Sequence, residues 1–185
     1  MEISSFQSYL IILFVVLIII SIFVFRQFLK TRSEELNLVK FEQKGLDSLT
    51  QATELYEFGY IQIKKRLYSE ATKTFLKEIE NYENEPNEAK AIIENALGFS
   101  YAAQNEFKTA IAHYNSAIKS LPEYTVALNN LASAQQRLLE YELAYATYKK
   151  VLVIDPNNKT AIKKCKELEK RNNYSPYKGT KDKGF

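Results

Sequence analysis

Few side chains in this 185-residue sequence are equipped for covalent chemistry. It holds one histidine, His113, and one cysteine, Cys165. A common hydrolase or transferase needs a nucleophile beside a base, a metal cluster or a glycine-rich phosphate loop, and no such motif occurs. One His and one Cys are poor metal ligands, and a lone cysteine excludes an internal disulfide. Cys165 is expected to be a small buried hydrophobe rather than a reactive thiol, and His113 an ordinary surface or packing residue. The carboxylates of Glu78, Glu80, Glu83, Glu85 and Glu88 read as a solvated face and loop, not as a paired acid and base. A formal charge of +3 with no basic stripe argues against a nucleic-acid surface. The sequence thus requires no catalytic residue, no cofactor and no metal. What remains is recognition by side chains that pack, stack and hydrogen-bond.

Such recognition needs a scaffold, and the stretch ALGFSYAAQNEFKTAIAHYNSAIKSLP at 96–122 indicates one. Leu97, Tyr101, Ala110, Tyr114, Ala117, Ile118 and Leu121 recur at three- and four-residue steps, which place them on shared helix faces. The rhythm breaks around Gln104, Asn105 and Glu106, so the segment is expected to fold back as a helical hairpin that brings Gly98 close to Ala110. The pattern returns at a constant offset of 34, as Leu131, Tyr141, Ala144, Tyr148 and Pro156. A looser copy lies earlier, with Phe58, Gly59, Tyr68, Ala71 and Phe75; its offset is 39 because residues 81–88 (NYENEPNE) lengthen the connection. Three hairpins in series predict an all-α solenoid.

The period of 34 with this residue set resembles the tetratricopeptide repeat, a family of stacked helix pairs. Residues 91–124 match best, supplying Leu97-Gly98, Tyr101, Phe107, Ala110, Tyr114, Ala117 and Pro122, with Glu94 where the family usually has a large aromatic. Residues 125–158 keep Leu131, Tyr141, Ala144, Tyr148 and Pro156 but have Ala132 for the glycine and Gln135 for the first tyrosine. Residues 52–85 keep Gly59, Ala71 and Phe75, while Gln62 and Glu78 depart from the pattern and Pro86 comes late. In physical terms Gly59, Gly98 and Ala132 of each first helix are expected to face Ala71, Ala110 and Ala144 of each second, letting the axes approach. Tyr68, Phe107 and Tyr141, with Phe75, Tyr114 and Tyr148, would then fill the space toward the next repeat.

The flanks carry different signals. From Ile3 to Phe25 the chain carries no charge, a run of about 34 Å as helix against a hydrocarbon core of about 30 Å. Residues 1–30 are therefore expected to form an uncleaved transmembrane anchor, because a basic stretch before the run and a small-residue cleavage site after it are both missing. Arg26, Lys30 and Arg32 follow the span, so the rest of the chain is expected on the cytoplasmic or stromal side. The sequons at Asn158 and Asn173 then read as chance matches. Residues 31–51 are expected to be a stalk or linker, with Thr31-Arg-Ser-Glu34 as a capping box, a thin stripe of Leu36, Val39, Leu46 and Leu49, and Gly45 weakening the helix. Residues 159–171 predict a capping helix with Ile162, Cys165 and Leu168 on its stripe. Together these bounds give a repeat domain over 52–171 and a disordered tail over 172–185.

The family resemblance implies a groove lined by the first helix of each pair, which grips an extended peptide or a partner's helix. Carried across residue by residue, the groove positions are Tyr56, Tyr60 and Ile63 in repeat one, Asn95 and Phe99 in repeat two, and Asn129 and Ser133 in repeat three. Chaperone-binding relatives hold a terminal carboxylate with lysines, arginine and asparagines; Tyr56 and Tyr60 replace the first lysine and asparagine of that clamp. The expected ligand is instead a protein segment with apolar anchors and backbone groups held by Asn95 and Asn129. The layout of one N-terminal span, a stalk and three repeats resembles the small thylakoid-anchored tetratricopeptide proteins of cyanobacteria and algal plastids that assist photosystem I assembly. That resemblance implies partners among photosystem I subunits or assembly factors, and lipid around the span. An organelle import receptor that binds targeting peptides, and an anchored enzyme, are the other classes the sequence admits.

Overall fold

The computed structural model describes residues 5–49, 52–80 and 86–171, and within these every regular element is helical. The chain divides into two units, Met1–Leu49 and Thr50–Phe185.

The first unit is built on one helix, α1 (Ser5–Lys44), of 40 residues. Its large apolar side chains from Tyr9 to Phe25 are all exposed, and it is long and apolar enough to cross a membrane. The helix does not restart at Thr31. Backbone donors there are already bonded four residues back, so the expected capping box has no orphan N–H to serve. Gly45 ends the helix: its φ of 76° lies in the left-handed region that a glycine enters freely. Its N–H still reaches the Phe41 carbonyl at 3.1 Å, and the Ser48 hydroxyl donates to the carbonyls of Lys44 and Gly45.

Among the described residues the second unit holds seven helices: α2 (Ala52–Lys64), α3 (Tyr68–Glu80), α4 (Asn87–Ala103), α5 (Phe107–Ser120), α6 (Thr125–Arg137), α7 (Tyr141–Ile154) and α8 (Lys159–Lys170). Each packs against the next, so the helices run as three antiparallel pairs followed by α8. At 17 residues α4 exceeds the 13 of α2 and α6; part of the longer first offset is thus an added helical turn at Asn87–Lys90. Residues 81–85, which the first repeat was expected to include, and the tail over 172–185 lie outside the described residues.

Each pair turns the same way. Arg66, Asn105 and Leu139 adopt φ of 62°, 66° and 64°, and the next residue's N–H reaches back five positions, to Gln62, Tyr101 and Gln135 at 2.8–2.9 Å. These closures satisfy carbonyls in the last turns of α2, α4 and α6. A shared turn fixes a shared crossing, and with it the register of side chains across the pairs.

The core differs in one respect from the expected alanine crossing. A Cβ built on Gly59 would lie 2.6 Å from the Phe75 ring, and one on Gly98 would lie 2.7 Å from the Tyr114 ring and 3.1 Å from the Ala110 carbonyl oxygen. Phe75 and Tyr114 stand one helical turn after Ala71 and Ala110, on the same face of the second helix, so their rings reach over the glycine. Small residues in the first helix make room chiefly for an aromatic ring. The same rings look onward: Phe75 joins Ile93 and Leu97, Tyr114 joins Leu131 and Ala134, and Tyr148 joins Ala161, Cys165 and Leu168 of α8. The buried face of α8 is Ala161, Cys165 and Leu168, with Ile162 only half-buried. Burial pushes the Cys165 thiol up, which keeps it protonated and unreactive.

Candidate functional site

The repeat offsets place the first-helix residues in columns along one face. One column is Tyr60, Phe99 and Ser133, and all three are exposed, the two aromatics at 46% and 41%. A second column is Tyr56, Asn95 and Asn129, all half-buried. The structure therefore separates the expected groove residues into those that face out and those already engaged.

Tyr56 stacks on Tyr60 with ring centroids 6.2 Å apart and planes 12° from parallel, and it tilts against Phe75 at 6.3 Å. Burial, then the neighbouring Tyr124, Tyr60 and Glu78, push its phenol up. Ile63 packs with Tyr56 against the Phe75 cluster and so contributes more to the core than to a ligand surface. Phe99 meets the Tyr68 ring edge-on at 6.3 Å, which steadies an exposed ring from behind.

One asparagine bridges two repeats and the other ties repeat three to the cap of α8. Asn130 donates to the Asn95 oxygen at 2.9 Å, and Asn95 also hydrogen-bonds Tyr124. Asn129 donates to Asn158 at 3.3 Å; that residue in turn caps α8 by accepting from the Ala161 N–H at 3.1 Å. These amides hold α4 against α6 and α6 against the start of α8, which fixes the spacing of the exposed side chains beside them. Ile92 and Val126, one repeat apart and both exposed, extend the same face beyond the expected set. Asn130 and Arg137 join it at α6. All four lie at the repeat offset or beside the expected residues, and sliding the period along each first helix would have found the apolar pair.

Behind this face the repeats differ in polar chemistry. In repeats one and three a threonine of the second helix donates to a glutamine of the first: Thr74 to Gln62 at 2.8 Å, and Thr147 to Gln135 at 3.0 Å. In repeat two the equivalent pair is Tyr101 and His113, whose rings stack 5.3 Å apart and 4° from parallel. His113 Nδ1 also lies 2.7 Å from Glu94 Oε2. Glu94 is 6% exposed and occupies the place that Leu55 and Leu128 hold in the flanking repeats. Glu78 departs from the sequence expectation as well. It is not on a solvated face but 2% exposed, where Ala117 and Val151 stand in the other repeats, because the repeat geometry turns that position inward. Glu80 and Glu88 are exposed as expected; Glu83 and Glu85 lie outside the described residues. Among the described residues no cluster of His, Cys, Asp and Glu could hold a metal ion.

A stack of helix pairs with matched turns, presenting a register of exposed first-helix side chains, defines a tetratricopeptide-repeat protein. The fold is similar to the first such domain of Spaghetti (RPAP3) bound to the HSP90 peptide SRMEEVD, with a TM-score of 0.58 and 24% identity over 64% of this chain and 92% of that one. No protein-family model matches the chain. It is 31% identical to the protein ycf37 of Cyanophora paradoxa over 89% of this chain and 95% of that relative, and it belongs to the ycf37 family. It is also 32% identical to the chloroplastic tetratricopeptide repeat domain-containing protein PYG7 of Arabidopsis thaliana, over 92% of this chain. The chain spans 56% of the length of that relative.

Proposed function

We propose that this chain is a non-enzymatic, membrane-anchored scaffold that holds protein partners on its first-helix face during assembly of a membrane complex, photosystem I at the thylakoid. The single observation that carries the binding reading is the exposed column of Tyr60, Phe99 and Ser133, whose last two members sit on helices tied together by the Asn95–Asn130 bond. Large exposed aromatics braced by a second ring are costly to leave in water and are well suited to anchor a partner's apolar side chains. The thylakoid reading is supported by the chloroplastic relative and by the resemblance of the layout to the anchored assembly proteins.

The anchor is α1. Its exposed apolar stretch gives it a reason to leave water, and Arg26, Lys30 and Arg32 after that stretch favour the repeats on the stromal or cytoplasmic side. Tethering to the membrane raises the effective concentration of the repeats around newly inserted subunits.

Affinity purification of the tagged full chain from mildly solubilised membranes, followed by mass spectrometry, tests this reading. Photosystem I subunits or assembly intermediates should be recovered with the native chain and lost with Tyr60→Glu and Phe99→Glu, each used once circular dichroism shows the native helix content and melting temperature. Recovery of organelle precursors in their place would make the chain an import receptor. Unchanged recovery with both variants would refute the groove.

A further inference from the structure

Between α4 and α6, next to Phe99, lies a cavity of about 290 Å³ with an apolar floor of Phe99, Ala102, Phe107 and Ala134. Its size is just under the range of about 300–1,000 Å³ typical of small-molecule pockets, which suits one large side chain. Asn130, Ser133 and Arg137 supply polar groups to its lining. The Arg137 guanidinium sits over the Phe107 ring, 5.1 Å from the centroid. A guanidinium over a ring is attracted by the ring's π face and still has five N–H donors with which to bind an anion. Arg137 is exposed, and among the described residues no carboxylate pairs with it. A guanidinium that lines an apolar pocket and has no carboxylate partner among the described residues has a definite complement: a carboxylate adjoining a large apolar side chain.

We propose that this pocket takes an aromatic or leucine side chain of the partner while Arg137 binds the carboxylate of an adjacent Asp or Glu within the same segment. The proposal rests on the groove reading above and specifies its ligand. An internal acidic residue fits better than a chain terminus. The exposed first-helix side chains extend beyond the pocket's own lining, to Tyr60 on α2 and Val126 at the start of α6, which leaves room for chain beyond the anchored pair. The same stacking recurs one repeat further on, with Arg171 over Tyr141 at 4.9 Å; Arg171 is not part of this cavity and so serves as an internal control.

The test uses the full chain in lipid nanodiscs and short fluorescent peptides with amidated ends, carrying Phe-Glu, Phe-Gln or Ala-Glu in a Gly/Ser background. Polarisation titrations should show Phe-Glu binding about tenfold tighter than Phe-Gln, with Ala-Glu weaker still. Arg137→Gln should erase the Glu-over-Gln preference, Ser133→Trp should weaken every peptide by blocking the mouth, and Arg171→Gln should change neither. The proposal is overturned if the native chain shows no preference, if the preference survives Arg137→Gln, or if only a Phe-Gln peptide with a free terminal carboxylate binds. Partner capture that still depends on Phe99 while Arg137→Gln has no effect would defeat this assignment and leave the groove reading standing.

Discussion

Tyr114 and Tyr148 carry phenols into places that water barely reaches. Burial pushes both up, Tyr148 to about 12, with Cys165 and Glu167 adding to the effect. A phenol whose proton is held more tightly in the folded chain stabilises the fold fully below its ordinary value of 10, and that stability is lost as pH rises through about 12. The repeat domain should therefore lose stability between about pH 10 and 12. Tyr148→Phe should move the unfolding midpoint upward, read by circular dichroism during alkaline titration. An unchanged midpoint would show that this phenol does not control it. The Glu94–His113 pair is the second residue-scale feature. His113→Ala deprives a buried carboxylate of a close partner and should cost about 1–3 kcal/mol, whereas the same change in a Glu94→Leu background should cost markedly less. A double-mutant cycle measured by urea unfolding supplies the coupling; additive costs would mean that the contact contributes no stability.

At the scale of helices, matched turns and glycine-on-ring contacts set the geometry. Leu139 is an exposed leucine held at a φ of 64°, where the Cβ is crowded by the backbone. Leu139→Gly should stabilise the domain by roughly 0.5–1 kcal/mol, seen as a higher melting temperature, because the strain is relieved and little burial is lost. In the opposite direction, Gly98→Leu or Ala110→Leu should destabilise by about 1–3 kcal/mol, since the Tyr114 ring and the Ala110 carbonyl leave no room. An unchanged melt would contradict the packing described for α4 and α5. Much of this level was legible in the sequence, because a hairpin that repeats at a fixed offset shows its core as recurring Gly, Ala and aromatic positions. What was not legible depends on distance in the chain. Arg137 and Phe107 belong to successive repeats and meet only through the crossing of those repeats. Glu78 reads as a surface charge from its neighbours and is buried by its register alone. At Thr31, a local capping signal is overridden by a helix already propagating from the apolar run, since extension costs less than a new start.

For the whole molecule, the functional claim joins an apolar helix to a binding face. The family's groove positions include the two aromatics that stand exposed, Tyr60 and Phe99, whereas the engagement of Asn95, Asn129 and Ile63 by neighbouring helices follows only from three-dimensional packing. The most direct measurement of the proposed function is site-specific photocrosslinking in intact thylakoid membranes, with a benzophenone amino acid placed at Phe99, at Tyr60, or at Val153. Val153 is strongly exposed on α7 and is not a first-helix position. Crosslinks to subunits of an assembling photosystem I from positions 60 and 99, with little from 153, are the predicted result. Equal labelling from all three positions, or partner crosslinks from 153 alone, would contradict a binding face built on the first helices.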